Sequence, residues 1–277
     1  NNNNIMITSA VVILFSLHLH SVASAFAVSN TVSSTSPSSS SLRSTAAAAA
    51  GSTNDIAIVG CGVLGTSLCK QLLSSPDFES KTVTAITKTT NNHQKIMEKI
   101  GSTTPNKFNL VVMEELSTTM TDQTKFTNVV FCAPPSGSED YPGTVKDAVE
   151  NLWAGSENGG TFVFTSSGGI YGPGDGNVVV NELTPLPETT LNSPRPMRLV
   201  NAEKNVLSSN GVVLRLAGLY NFERGAHNYW LEKGDGTVKG SSEGIINLLH
   251  YDDAAGACVA ALKQTAGKDE GAKGGLV

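Results

Sequence analysis

Residues 56–73 read IAIVGCGVLGTSLCKQLL, and this stretch constrains the chain more than any other. The β-branched run Ile56–Val59 leads into Gly60-x-Gly62-x-x-Gly65, and apolar residues from Leu64 to Leu73 recur at helical spacing. In a strand–turn–helix unit each glycine has a mechanical task. Gly60 permits the tight turn, Gly62 lets the main chain approach a pyrophosphate, and Gly65 lets the helix pack closely on the strand. The start of the helix then offers unpaired N–H groups and the positive end of its dipole to the phosphates. The spacing therefore predicts a diphosphate-binding βα unit, the alternative being a turn of the same shape with no ligand.

The rest of the chain repeats the alternation. Apolar runs at Thr82–Thr87, Phe108–Met113, Asn128–Ala133, Thr161–Thr165 and Val212–Ala217 predict five further strands. Helical spacing lies between them at Gln94–Ile100, Thr144–Trp153 and Arg198–Leu207. Continuously apolar strands separated by helices predict an α/β protein: a doubly wound parallel sheet of the Rossmann type, covered on both faces. The dinucleotide-binding domain is expected at 55–217. Residues 218–277 break the pattern and are expected to form a small substrate lobe over the C-terminal edge of the sheet. The sequence ends at Gly275-Leu276-Val277 as an apolar strand begins, so this lobe is read as incomplete.

An NAD-preferring site places Asp or Glu about 20 residues beyond the glycines, on the ribose 2′-OH. Here the second strand ends AITKTTNN, and no carboxylate lies between Lys81 and Met97. Lys88, with the Thr87 and Thr89 hydroxyls, favours the extra phosphate of NADP, with NAD possible; otherwise Lys88 is an ordinary solvated side chain. Val63 and Leu64 at the helix mouth join the cofactor-facing set. So do Ala133 and Pro134 after the fourth strand, Ser166 ending the fifth and Gly218 after the sixth.

Composition excludes other classes. A net charge of −5 lacks the basic excess that nucleic-acid binding calls for. Cys61, Cys69, Cys132 and Cys258 show no CxxC spacing and no nearby His, which argues against a metal site or a disulfide framework. They read as small buried apolar residues, with redox sensing at Cys61 or Cys132 as the alternative.

The N-terminal residues read as targeting sequence. Ala10–Leu17 is too short an apolar run to span a bilayer and ends near Ala23-Ser24-Ala25, a signal-peptide cleavage pattern for residues 1–25. Residues 26–54 are Ser- and Ala-rich and contain Arg43 but no acid, as transit peptides do. The junction ASAFA, with Phe26 after the cleavage site, resembles the two-part plastid-targeting sequences of algae with secondary plastids. Plastid import is expected, a secreted protein with a Ser-rich linker being the alternative. The mature protein is expected to be free of membrane. The chain begins with Asn1, so Met6 is the start or the N-terminus is incomplete.

Three stretches, FTSSGGIYG (164–172), VVLRLAGLY (212–220) and INLLHYDDAAGACVAAL (246–262), resemble the extended short-chain dehydrogenases/reductases, the epimerase/dehydratase group. The resemblance runs from Asp55 to about Leu262, while GxGxxG in place of the usual GxxGxxG marks an atypical branch. It implies that Ser167 polarises a substrate oxygen. It also implies a Tyr-x-x-x-Lys pair about 25 residues later, where this chain has Arg195 and Leu199. A phenol of pKa about 10 needs a neighbouring cation to act near neutral pH, and a tyrosine and lysine at i, i+4 on one helix face provide it. An arginine, always protonated, cannot replace the tyrosine.

Tyr171 is then the candidate proton donor, or else a tyrosine packing its loop. Tyr229 and Lys233 spell YxxxK far from Ser167 and read as a chance match. Arg195 and Arg198 read either as a clamp for an anionic substrate or as solvated charge at a helix start. His250 with Asp252 and Asp253 is the family's late motif or simply a helix cap. Two functions follow: an NADP-dependent oxidoreductase or epimerase/dehydratase relative acting on a small polar metabolite, with a homodimer possible, or a non-catalytic NADP(H) sensor or regulatory protein.

Overall fold

β1 (Thr53–Val59) turns alternate side chains to opposite faces, as any strand must. Ile56 and Ile58 enter one apolar core and Ala57 and Val59 the other. Ile56, Ala57 and Ile58 have no exposed surface. The structure is a computed structural model that describes residues 53–101, 107–119, 125–172, 179–232, 236–238 and 244–266. The targeting expectations for residues 1–25 and for nearly all of 26–54 lie outside the described residues. So do Lys233 and the apolar segment at 275–277. β1 begins at Thr53, just inside the stretch read as linker.

Six parallel strands form one sheet in the order β3-β2-β1-β4-β5-β6, with β2 Val83–Thr87, β3 Phe108–Val112, β4 Phe126–Phe131, β5 Phe162–Ser167 and β6 Val212–Leu216. This is the doubly wound α/β arrangement expected from the sequence. The chain moves outward from β1 to β3, then returns to lay β4 against the other side of β1. Val59 pairs with Phe131 there. The strand order reverses between β1 and β4, which opens a crevice beyond their C-terminal ends.

Helices cover both faces. α1 (Val63–Ser74) and α8 (Tyr251–Ala266) pack on the Ile56/Ile58 face, contributing Leu68, Leu72, Ala254, Cys258 and Leu262 to its core. Thus α8, placed by sequence in the smaller lobe, packs in the main core. α4 (Tyr141–Asn151) and α6 (Pro194–Ser208) cover the other face, where Tyr141, Phe131 and Phe164 form an aromatic cluster with centroids 6.1–6.2 Å apart. α2 (His93–Ile100) follows β2.

Three features differ from the sequence expectation. α6 begins at Pro194 rather than Arg198, because proline at the first helical position lacks only an N–H that would have no helical partner. α3 (Met113–Thr119), not expected, starts where β3 was thought to run on; Glu114 and Glu115 in its first turn suit the positive dipole end. β7 (Gly218–Tyr220) and β8 (Leu248–His250) pair in parallel as a separate two-stranded sheet. The short helices α5 (Glu188–Leu191) and α7 (Ala226–Glu232) complete the fold. No helix among the described residues is long and apolar enough to cross a membrane.

Candidate dinucleotide cleft

The three glycines meet three different environments. Gly60 has φ +85°, and a Cβ there would strike the backbone Cα and N of Ala133 on the neighbouring chain segment. A Cβ on Gly65 would come within 3.1 Å of the Gly60 carbonyl oxygen and 3.3 Å of Ile58 Cγ2, the close helix–strand approach expected of it. A Cβ on Gly62 would meet nothing nearer than 4.0 Å, so the main chain there fronts open space. That space is a cleft of about 490 Å³, within the range of small-molecule sites.

Gly60, Gly62, Val63, Leu64, Thr87, Lys88, Ala133, Pro134, Ser166 and Ser167 all line the cleft. The fold thus brings these ten residues, named from the sequence, to one cavity. Gly65, and Gly218 at the start of β7, do not line it. Thr87 Oγ1 donates to the Val111 carbonyl at 3.3 Å and bonds His93 Nε2 at 2.7 Å. Lys88 Nζ donates to the Gly137 carbonyl, in the loop after β4, at 3.1 Å.

The two serines differ in what they can offer. Ser166 Oγ donates to Glu203 Oε1 at 2.6 Å, inside the protein. Ser167 Oγ accepts from Gly169 N–H at 3.1 Å, and its own proton has no acceptor among the described residues. Ser167 can therefore donate a hydrogen bond to a ligand in the cleft.

Tyr171 does not share that role. Its hydroxyl donates to the Asn181 carbonyl at 2.8 Å and accepts from Arg215 Nη1 at 2.7 Å, and it does not line the cleft. It packs its loop, the alternative reading. The same arginine forms a buried pair with Glu203, Nη2 to Oε2 at 2.7 Å, with side-chain exposures of 11% and 3%. Ser166, Glu203, Arg215 and Tyr171 thus form one buried network.

The remaining candidates are placed as follows. Arg195 is exposed and outside the cleft, and Leu199 lines it. Arg198 Nη2 donates to the carbonyls of Pro135, Ser138 and Glu139, fastening the loop after β4 rather than clamping an anion. Tyr229 is exposed on α7, and its YxxxK partner lies outside the described residues. Asp252 and Asp253 sit in the first turn of α8 rather than capping it, and Asp252 accepts from Ser67 Oγ at 2.5 Å, tying α8 to α1. His250 Nδ1 accepts from Asp252 N–H at 3.2 Å.

Cys61 and Cys132 line the cleft, Cys61 almost wholly buried. The Cys69 thiol beside Cys61, aided by the Thr66 hydroxyl, holds Cys61 below the usual thiol range. Burial pushes Cys132 well above it and Cys258 up to about 12. Tyr141, also in the cleft wall, donates to the Ala133 carbonyl at 2.8 Å, and burial raises its pKa, so it is held as a neutral donor.

Sequence reasoning missed the far wall. Leu219, Arg224 and Tyr251 reach the cleft from the segment after β6. Neither periodicity nor turn chemistry marks them, since tertiary packing alone brings them there. The guanidinium of Arg224 and the hydroxyl of Tyr251 have no partner among the described residues. Among the described residues, Lys88 and Arg224 are the charged side chains of the cleft, and no carboxylate lines it.

No protein-family model and no curated protein matches the sequence. Solved structures do match the fold. The Bordetella bronchiseptica enzyme WbmH, in complex with NAD+, is 17% identical with a TM-score of 0.55, over 81% of this chain and 75% of that one. A UDP-galactose 4-epimerase is 17% identical with a TM-score of 0.54, over 80% and 76% of the two chains. The human epimerase family protein SDR39U1 with NADPH is 15% identical with a TM-score of 0.52, over 80% and 72%. The chain shares the Rossmann fold of the NAD-dependent epimerase/dehydratase proteins.

Proposed function

We propose that this protein binds NADP(H) and is an oxidoreductase or epimerase/dehydratase-like enzyme acting on a small polar metabolite in the plastid. The observation that carries the reading is the charge pattern of the cleft. Glycine-lined main chain fronts it at the start of α1, Lys88 and Arg224 enter it, and no carboxylate among the described residues competes for the ribose 2′ position. Bound there, the cofactor would supply hydride chemistry. Gly62 and Val63 would hold its diphosphate and Lys88 its 2′-phosphate, while Ser167 would donate to the substrate oxygen. With the Tyr171 hydroxyl bonded inside the loop, proton transfer falls to Tyr251 or to water. The NAD+ and NADPH complexes among the structures of similar fold support a nicotinamide cofactor.

A second reading, an NADP(H) sensor or regulatory protein without redox chemistry, is favoured by Leu199. An apolar side chain lines the cleft where the lysine of a Tyr/Lys pair would stand. NADPH deuterated at C4 separates the two. Stereospecific deuterium loss to a component of a metabolite pool makes the protein an enzyme. Tight binding with no transfer across a broad panel makes it a sensor.

For the cofactor, Lys88→Ala should weaken NADPH about tenfold, roughly 1.4 kcal/mol, and leave NADH nearly unchanged. Equal losses in calorimetry would remove Lys88 from the 2′-phosphate.

A further inference from the structure

A second cavity of about 240 Å³ adjoins the cleft and shares Cys61, Gly62, Val63, Asn92 and Arg224 with it. It lies between the start of α1 and the exposed side of α2, and Lys95 and Lys99 enter it from α2. Its single carboxylate, Glu223, is engaged with Lys99 Nζ at 3.5 Å. The side cavity is therefore cationic, with Lys95 and Arg224 left over once that pair is counted.

Arg224 stands at the end of a tight turn. Asn221 N–H donates to the Arg224 carbonyl at 2.7 Å, and Glu223 N–H donates to Asn221 Oδ1 at 3.0 Å. The Lys99–Glu223 pair pins this turn to α2. The guanidinium of Arg198 is bonded to the loop after β4 and that of Arg215 to Glu203 and Tyr171. The Arg224 guanidinium has no acceptor among the described residues, although it borders both cavities. Lys88, the cation that the sequence placed at the 2′ position, lines the main cleft beside this cavity and donates to the Gly137 carbonyl, so Arg224 and Lys95 would join it around the phosphate.

We infer that the side cavity is the seat of a phosphomonoester on the adenosine ribose, held by Arg224 and Lys95, with the 221–225 turn as a clasp over it. This inference rests on the dinucleotide reading and names the residues that would select the phosphorylated form. A planar guanidinium pairs with two phosphate oxygens at once, whereas the compact ammonium of Lys95 acts as a point charge. The contact is close to solvent, so its contribution should fall as salt rises.

The test titrates 2′,5′-ADP and 5′-ADP, together with NADPH and NADH, into wild-type protein and the Arg224→Ala and Lys95→Ala variants by calorimetry. Both residues are exposed, so the variants should melt as the wild type does. Each should lose about tenfold in affinity for 2′,5′-ADP and NADPH and less than about twofold for 5′-ADP and NADH. Unchanged binding, or equal losses for both members of each pair, would overturn the seat while leaving the dinucleotide cleft in place. Wild-type protein that binds none of the four overturns the cleft and the seat together.

Discussion

Glu203→Gln is expected to cost about 3–5 kcal/mol, because it breaks a buried ion pair. Glu203 is 2% exposed, and its carboxylate accepts from Arg215 Nε and Nη2 and from Ser166 Oγ. Removing its charge leaves the Arg215 guanidinium, 11% exposed, without a counter-ion. A glutamine also turns one N–H2 group toward donors. Stability is about 5–15 kcal/mol for domains of this kind, so the variant should sit near the edge of folding at room temperature. The midpoint of urea unfolding at constant slope reports the loss directly. Removing both charges, with Glu203→Leu and Arg215→Met, should recover part of it, because a well-packed apolar pair avoids the desolvation of two ions. A loss below about 1 kcal/mol in the single variant would mean that the pair is solvated like a surface bridge.

Gly60→Ala should be nearly as damaging, for a different reason. At φ +85° an L side chain adds about 1–3 kcal/mol of backbone strain. Its Cβ would also strike main-chain atoms of Ala133, which side-chain rotation cannot relieve. The neighbouring segments are locked by Gly60 N–H to the Ile86 carbonyl at 2.9 Å and Cys132 N–H to the Val59 carbonyl at 2.7 Å. Overpacking adds about 1–3 kcal/mol and must spread β1 from β4, widening the floor of the cleft. Gly101→Ala is the control: φ is +75°, but nothing lies within 4 Å, so only the backbone cost applies. Equal melting temperatures for the two variants would show that the β1–β4 approach is not tight.

The parallel sheet was legible because its strands are apolar on both faces, and the GxGxxG stretch placed the first crossover. The near wall of the cleft was legible for the same reason. Gly60–Leu64, Lys88, Ala133 and Pro134 follow strand ends and Ser166 and Ser167 close β5, and in a doubly wound sheet the C-terminal ends of neighbouring strands meet. What was not legible depends on partners distant in sequence. Tyr171 was assigned to the correct loop, but its hydroxyl direction is set by Arg215, 44 residues later. Arg198 occupies a helix start that could face a ligand, yet its guanidinium is used by carbonyls some 60 residues earlier. Arg224 and Tyr251 reach the cleft only because the turn before α7 is pinned to α2 and α8 is packed on α1, neither of which leaves a local pattern.

The claim beneath the whole account is that the open main chain at Gly62 is where a dinucleotide diphosphate rests. Calorimetry of NADPH against wild-type protein and Gly62→Ala tests it most directly, since a Cβ at Gly62 meets no protein atom closer than 4.0 Å. The account predicts binding near one molecule per chain for the wild type. It predicts at least about a tenfold loss in the variant, with a melting temperature close to that of the wild type. Wild-type protein that gives no heat with any pyridine dinucleotide, or a Gly62→Ala protein that binds NADPH as tightly as its parent, would contradict it.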